Sequence, residues 1–360
     1  MIHYFNTNVL EESQKRIKFI FDNFQNIIVS ISSGKDSNVL YHLCLKEAEK
    51  RSRKVKVFFL DQEAEYKGSI TLIRQLMNHP SVIPLWYQVE LFMTNATSYK
   101  SYFLKAWAIG EEWMREKEDI AIKEINKYYP KRFYSFFEWL EKEQTEPTAF
   151  MIGLRSKESL NRFRAVTKTS GFNGIPWSTQ TKSPFSYRFY PIYDWTFGDI
   201  WKFISDNNIP YNEVYDKMYC KLGKKINSIR ISNLIHEKSF RCLNELQEIE
   251  HDTYEKLCRR LQGVHTAALY CKEDMIYNNK RLPSSFKHWK DYRDYLLESY
   301  DIDKKRKERI KKRFQNQRQT EQIFKHQCKQ ILIGDWENNI PVNTKSETKE
   351  EFIKRWWDKF

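Results

Sequence analysis

The six cysteines of this 360-residue chain (Cys44, Cys220, Cys242, Cys258, Cys271 and Cys328) form no Cys-x-x-Cys pair and show no zinc-like Cys/His spacing. That excludes a zinc ribbon or a thioredoxin-type motif and predicts scattered, reduced thiols. Glycine and proline are scarce at ten each while aromatics reach 16%, which excludes a disordered or collagen-like chain and predicts a compact fold. No apolar run approaches the length of a bilayer span, and Met1-Ile-His-Tyr-Phe-Asn6 has no basic segment leading into an apolar one. The expectation is a cytoplasmic protein with no membrane partner. Acidic residues are the charge in short supply: 47 Asp and Glu against 61 Lys and Arg leave a formal +14. Such a surplus attracts polyanions, whether nucleic acid, nucleotides or acidic proteins, and says nothing about fold. Gly-x-x-x-x-Gly-Lys-Ser/Thr is also missing, so the common nucleoside-triphosphate loop is excluded.

What the chain has instead is a strand, loop and helix at residues 27–46. Ile27-Ile-Val-Ser-Ile31 suits the interior of a parallel sheet, and Val39, Leu40, Leu43 and Leu45 take up roughly helical spacing directly after Ser32-Ser-Gly-Lys-Asp-Ser37. The loop therefore falls at a helix N-terminus, where free backbone N–H groups and the helix dipole bind an oxyanion. Gly34 lets the main chain approach a ligand, Lys35 adds a mobile positive charge, and Ser32, Ser33 and Ser37 add hydroxyls. Asp36 is the candidate ligand for a Mg²⁺ bridging phosphate oxygens. The same Ser32, Ser33 and Asp36 also suit an N-capped helix with no ligand.

Length suggests two or three domains, or one large domain with an extension. An amphipathic helix over residues 10–24 precedes the loop. A strand over 55–60 ends in Asp61, a helix over 70–77 leads to an apolar stretch at 82–91, and 148–152 and 189–192 read as a fourth and fifth strand. Strands alternating with helices imply an α/β fold with right-handed crossovers and a doubly wound, mostly parallel sheet. Ligands gather at the carboxyl ends of such strands, where 32–37, Asp61 and 153–155 all fall. The expected division is an α/β nucleotide-binding domain over 1–210, with an aromatic-rich, largely helical insertion at about 95–146, and a basic helical region over 211–360. The densest basic run there is Lys304-Lys-Arg-Lys-Glu-Arg-Ile-Lys-Lys-Arg313.

Two further groups carry candidate chemistry. Asp61-Gln-Glu-Ala-Glu-Tyr66 sets three carboxylates beyond a strand end. Asp61 and Glu63 are the candidates to hold a ribose hydroxyl or an adenine amino group, or to share a metal with Asp36; the alternative is a solvated turn that caps the next helix. In Gly153-Leu-Arg-Ser-Lys-Glu-Ser-Leu-Asn-Arg-Phe-Arg164, the residues Arg155, Glu158 and Arg162 take one face of an expected helix. The glutamate then orients two guanidinium forks suited to phosphate, sulfate or carboxylate, unless the three form an ordinary surface ion-pair helix.

The hexapeptide at 32–37 resembles the Ser-Gly-Gly-Lys-Asp-Ser signature of the PP-loop ATP pyrophosphatases, with Ser33 in place of the first glycine. Gly153, Arg155, Glu158, Ser159 and Arg162 resemble the Gly-x-Arg-x-x-Glu-Ser-x-x-Arg segment of the phosphoadenosine-phosphosulfate (PAPS) reductase-like branch of that superfamily. Further stretches are similar to the immunoglobulin-binding-regulator A type subgroup: 59–66, 94–98, 190–195 with 199–201, 211–216, 230–232, 260–263, and 282–284 with 288–289. The likeness spans about residues 20–320.

This resemblance implies an adenine nucleotide alpha hydrolase-like fold and an enzyme that attacks ATP, or a PAPS-like nucleotide, at the α-phosphate, with pyrophosphate leaving as its Mg²⁺ complex. Catalytic roles fall to Lys35, Asp36, Arg155 and Arg162, and nucleotide contacts to Ser32, Ser33, Gly34, Ser37, Asp61, Glu63, Gly153 and Glu158. A ParB/sulfiredoxin-like protein partner is implied as well. The chain departs from true reductases, because no Glu-Cys-Gly-Leu-His-type segment occurs and Cys328 sits in His-Gln-Cys-Lys-Gln. Tyr219-Cys-Lys-Leu-Gly223 also replaces a Gly-Cys-x-x-Cys, which argues against an iron–sulfur cluster and against reductive release of sulfite. The expected function is Mg·ATP-dependent nucleotidyl transfer to an acceptor. The alternatives are a sulfonucleotide-dependent sulfur transferase or reductase-like enzyme, and a nucleotide-sensing regulator or module bound to nucleic acid through the basic C-terminal region.

Overall fold

The computed structural model describes residues 6–94, 103–167, 171–223, 229–234, 243–261, 263–265, 268, 282–299 and 304–332. Among the sequence features above, residues 95–98, Cys242 and Cys271 lie outside the described residues.

The apolar run after Gln25 forms strand β1 (Asn26–Ser30), which pairs in parallel with β2 (Val55–Leu60) on one side and with β6 (Thr148–Ile152) on the other. Both faces of this centre are covered, so β1 and β6 carry near-continuous apolar residues with almost no exposure. β3 (Val82–Tyr87) extends the sheet beyond β2, and β8 (Ser186–Phe189) extends it beyond β6. The antiparallel edge strand β7 (Ser178–Gln180) completes the order β3-β2-β1-β6-β8-β7. Chain order reverses between β1 and β6, the place where a doubly wound sheet opens a crevice at its carboxyl edge. Strands β4 (Leu91–Thr94) and β5 (Phe103–Ala106) make a separate two-stranded sheet.

Helix α1 (Val9–Asn23) starts on an Asn8 cap and lays Ile17, Ile20 and Phe21 into the core. Arg16 fixes it to the chain after β8 by two hydrogen bonds to Asp194, at 2.8 and 2.7 Å. Helix α2 (Lys35–Lys50) follows β1 directly, and α3 (Lys67–Met77) connects β2 to β3. Further along are α4 (Phe133–Lys142), α5 (Leu160–Thr167), α6 (Phe197–Asp206) on a Thr196/Asp199 capping box, and α7 (Val214–Leu222). One apolar cluster joins α1, α2, α3 and α6 to the face of the sheet that carries Ile27 and Val29.

Three expectations are corrected. The apolar stretch 82–91 breaks after Tyr87, because Gln88 pairs with Ile122 and not with a further strand position, its N–H donating to the Ile122 carbonyl at 3.0 Å. The insertion at 95–146 is not largely helical: among its described residues only α4 is an α-helix, and 107–122 is irregular chain held by Asp61, Glu63 and Gln88, just beyond the ends of β2 and β3. The fifth strand lies at 186–189, since Pro191 has no N–H to continue the ladder.

The chain divides into two compact units, one of residues 1–92, 105–233 and 247–253, the other of 93–104, 234–246 and 254–360. The first unit thus continues past residue 210. In the second, helices Trp289–Ser299, Lys304–Gln315 and Glu321–Leu332 close on a small core of Leu296, Leu297, Ile310, Phe314, Cys328 and Ile331. Among the described residues no helix is long and apolar enough to cross a membrane.

Candidate functional site

The loop after β1 leads straight into α2. Gly34 is the N-cap of α2 and supplies no capping side chain; the Lys35 N–H is taken by the Tyr215 hydroxyl, and among the described residues no side chain caps the N–H groups of Asp36 and Ser37. Ser37 stabilises the loop from within: its Oγ donates to the Gly34 carbonyl at 3.1 Å and accepts from the Ser32 N–H at 3.1 Å. Ser33 holds φ at +55°, the left-handed conformation that the glycine of the related signature adopts without strain.

Lys35 is 3% exposed. Its Nζ lies 3.2 Å from Asp36 Oδ2 and 5.6 Å from the ring centroids of both Phe197 and Tyr215. Burial pulls the Lys35 ammonium below its ordinary value; Asp36 acts in the opposite sense, while Arg155 and Arg230 push the same way as burial. The other oxygen of Asp36 accepts from Arg155 Nε. Arg155 Nη2 is in turn 3.3 Å from Glu158 Oε1, and Glu158 Oε2 pairs with Arg162. A chain Lys35–Asp36–Arg155–Glu158–Arg162 therefore links the carboxyl ends of β1 and β6.

Gly153 makes this link possible. A Cβ there would stand 2.8 Å from Ser37 Cα and N, so only glycine lets the end of β6 lie against the first turn of α2. The three residues that follow are not on one helix, as expected, but on a 3-10 turn (Ser156–Glu158), an extended Ser159 and then α5. The break at Ser159 still lets Glu158 reach both guanidinium groups.

Two side chains complete the site that sequence reasoning did not assign to it. The buried Tyr215 hydroxyl accepts the Lys35 N–H at 3.1 Å, and burial pushes its phenol up to about 12. Arg230 lies close enough to act on the charges of Lys35, Arg162 and Tyr215. Each falls in a segment whose family likeness was legible, Tyr211–Asp216 and Arg230–Ser232, but separations of about 180 residues from Lys35 hide which side chain points to the loop. Burial also draws Arg162 below its ordinary value, with Arg230 and Arg155 adding to the effect. Three cations (Lys35, Arg155 and Arg162) thus bracket two carboxylates (Asp36 and Glu158) at the start of α2, with Arg230 in electrostatic range.

Asp61 and Glu63 are elsewhere in character. Asp61 is fully buried and accepts from Trp86 Nε1 at 2.8 Å, from Gln88 Nε2 at 2.9 Å and from Arg115. Glu63 accepts the backbone N–H of Trp107 at 2.6 Å and of Met114 at 3.1 Å. Both carboxylates hold the 107–118 segment over the end of β2, so the expected ribose, adenine or metal contacts of these two side chains are corrected to structural ones. The third carboxylate, Glu65, is partly buried beside Asn233, and burial followed by Asp61 pushes it up to about 8.

Asp36, the expected Mg²⁺ ligand, has each oxygen facing a cation, so a divalent ion held between it and nucleotide phosphates would have to displace Lys35 or Arg155. The thiols are remote from a reductase arrangement among the described residues. Cys44 and Cys328 are buried, the latter donating to the Trp289 carbonyl at 3.5 Å, while Cys220 is exposed at the end of α7.

Comparisons with known proteins agree with this geometry. Residues 26–229 match the phosphoadenosine phosphosulfate reductase domain, and residues 223–339 match a domain of unknown function (DUF3440). The chain is 30% identical over 308 residues to the uncharacterized protein YbdN of Escherichia coli K12, covering 81% of this chain and 75% of that one. It is 23% identical over 201 residues to the adenosine 5'-phosphosulfate reductase of Oceanobacillus iheyensis, covering 55% and 69%. Among solved structures, PAPS reductase from Candida auris matches with a TM-score of 0.33 at 14% identity, over 64% of this chain and 97% of that one. With the reductase domain spanning more than half its length, the chain belongs to the phosphoadenosine phosphosulfate reductase family, its sheet doubly wound and mostly parallel.

Proposed function

We propose that the protein binds the phosphoryl tail of an adenine nucleotide at the N-terminus of α2 and transfers the adenylyl group of ATP to an acceptor, releasing pyrophosphate. The observation that carries this reading is the charge arrangement, three ion-paired cations against two carboxylates around the start of α2. An acceptor lone pair attacks the α-phosphorus, and the bond to the bridging oxygen of the β-phosphate breaks. The electron pair departs with pyrophosphate, and the acceptor's proton passes to solvent. Backbone N–H groups at the start of α2, with Lys35, Arg155, Arg162 and Arg230, stabilise the charge that develops on the leaving group. No general base is assigned, because positioning and charge stabilisation are sufficient for adenylation. Lys35 and Arg155 occupy the place where a metal would otherwise offset charge at Asp36, so nucleotide binding is expected to survive chelation.

The test combines calorimetry with ATP and with PAPS, in EDTA, and pyrophosphate release from ATP with water as acceptor. Wild type binds ATP and releases pyrophosphate; Lys35→Ala lowers release by about a hundredfold, the loss typical of one charged donor to a developing oxyanion; Cys220→Ala retains it. Full release in Lys35→Ala, or no heat with either nucleotide, overturns the reading. PAPS binding with turnover dependent on Cys220 transfers it to the sulfonucleotide alternative, and tight binding without turnover transfers it to a nucleotide sensor.

A further inference from the structure

The second compact unit carries a surface that the nucleotide site does not use. Helix Lys304–Gln315 contains eight cations and one acidic residue, Glu308. Its apolar face is already occupied: Ile310 is 3% exposed and Phe314 2%, packed with Leu296, Leu297, Cys328 and Ile331. Two of its lysines are neutralised locally, Lys307 and Lys311 lying 3.2 and 2.5 Å from the Glu298 carboxylate. Lys304, Arg309 and Lys312 are different. All three are exposed, and none has a carboxylate partner among the described residues. At 100° per residue they spread over the outward arc of the helix, opposite Ile310 and Phe314, along a rise of about 12 Å.

We propose that this outward face of Lys304–Gln315 binds the phosphodiester backbone of nucleic acid, without base readout, through Lys304, Arg309 and Lys312. A membrane surface is the poorer fit, because an interfacial helix must bury an apolar face in lipid and this one has buried its apolar residues in its own unit. Regularly spaced phosphates suit a row of exposed cations, and a net charge of +14 steers the whole chain toward such a polymer. The contact needs no nucleotide chemistry at the α2 site, so the two proposals stand or fall separately.

The experiment is fluorescence anisotropy of the full chain with a 30-base-pair duplex DNA of mixed sequence and a single-stranded RNA of equal length, between 50 and 300 mM salt, with poly-glutamate and phosphatidylserine vesicles as rival polyanions. Binding is expected to weaken steeply with salt. Each phosphate contact contributes about 0.9 to the slope of log affinity against log salt on duplex DNA, so the triple variant Lys304→Gln, Arg309→Gln, Lys312→Gln flattens it by about 2.7. All three side chains are exposed, and the melting temperature of the variant should match wild type. The stronger of the DNA and RNA arms identifies which backbone is preferred. No binding at 50 mM salt, an unchanged slope in the triple variant, or tighter binding to poly-glutamate or vesicles overturns the proposal.

Discussion

Two turns stand side by side at the carboxyl edge of the sheet, one after β1 and one after β2, and both are rich in polar residues. The first gathers an excess of cations: Lys35 and Arg155 are held on Asp36 at the start of α2, where Gly34 supplies no capping side chain. The second turns inward, with Asp61 taking two neutral donors and Arg115, and Glu63 taking two backbone donors from the following insertion. A similar position in the fold thus yields a cation-rich cluster in one case and a clamp in the other. What separates them is the balance of charge, cations outnumbering carboxylates around the first turn while neutral and backbone donors share the carboxylates of the second.

The comparison breaks most readily at Asp61. Replacing Asp61 with Ala leaves Arg115 beside an empty acceptor and strands the indole N–H of Trp86 and the amide of Gln88, all in the interior. Loss of one partner from a buried charged pair costs about 3–5 kcal/mol. Urea denaturation should therefore show a sharply lowered midpoint in Asp61→Ala. A variant that keeps its stability and loses only nucleotide affinity would place Asp61 in the binding site and erase the contrast.

A smaller effect comes from Glu65, the third carboxylate of the same turn. Its folded value is pushed up to about 8 from an ordinary 4.5, chiefly by burial and then by Asp61. Between those two values the native state keeps a proton that the unfolded chain releases, so stability falls as pH rises through the window and the loss is complete above about 8. Glu65→Gln, which cannot ionise, should flatten that part of the stability profile and gain relative to wild type at pH 8.5. Parallel profiles for the two proteins would show Glu65 to be solvated and ionised, and the turn to be less closed than the Asp61 and Glu63 contacts indicate.

Local order explains which parts of this picture are legible in the sequence. β1, the 32–37 loop and α2 follow one another within 25 residues, and their apolar spacing and small-residue loop can be read directly. The parallel sheet follows from the same alternation of strand and helix. Arg155, Glu158 and Arg162 are close in sequence, so their association is legible although the backbone between them is a 3-10 turn and a break, not one helix. The clamp is not legible, because Trp86, Gln88, Trp107, Met114 and Arg115 reach Asp61 or Glu63 from 25 to 54 residues away. The insertion is misread for a related reason. Trp107, Trp113 and the charged residues around them suggest a helix by composition, yet their backbone is fixed by these long-range donors and acceptors. Tyr215 and Arg230 are further still, and only the folded chain brings them to Lys35.

The smallest predicted effect concerns Ser33, where the loop departs from its relatives' glycine. A non-glycine residue in the left-handed region costs about 1 kcal/mol, and Ser33 sits there at φ +55°. Ser33→Gly removes that cost, but glycine gives the unfolded chain more freedom to lose, an opposing term of about 0.5–1 kcal/mol. The two nearly cancel, so the melting temperature of Ser33→Gly should stay within about 3 °C of wild type, with nucleotide affinity unchanged. A rise beyond that range would mean the loop stores strain that ligand binding could release. A fall would mean that the Ser33 side chain itself, buried at 3% exposure, holds the loop in shape, and the contrast between a cation-rich turn and a carboxylate-rich one would then extend to single side chains within the first.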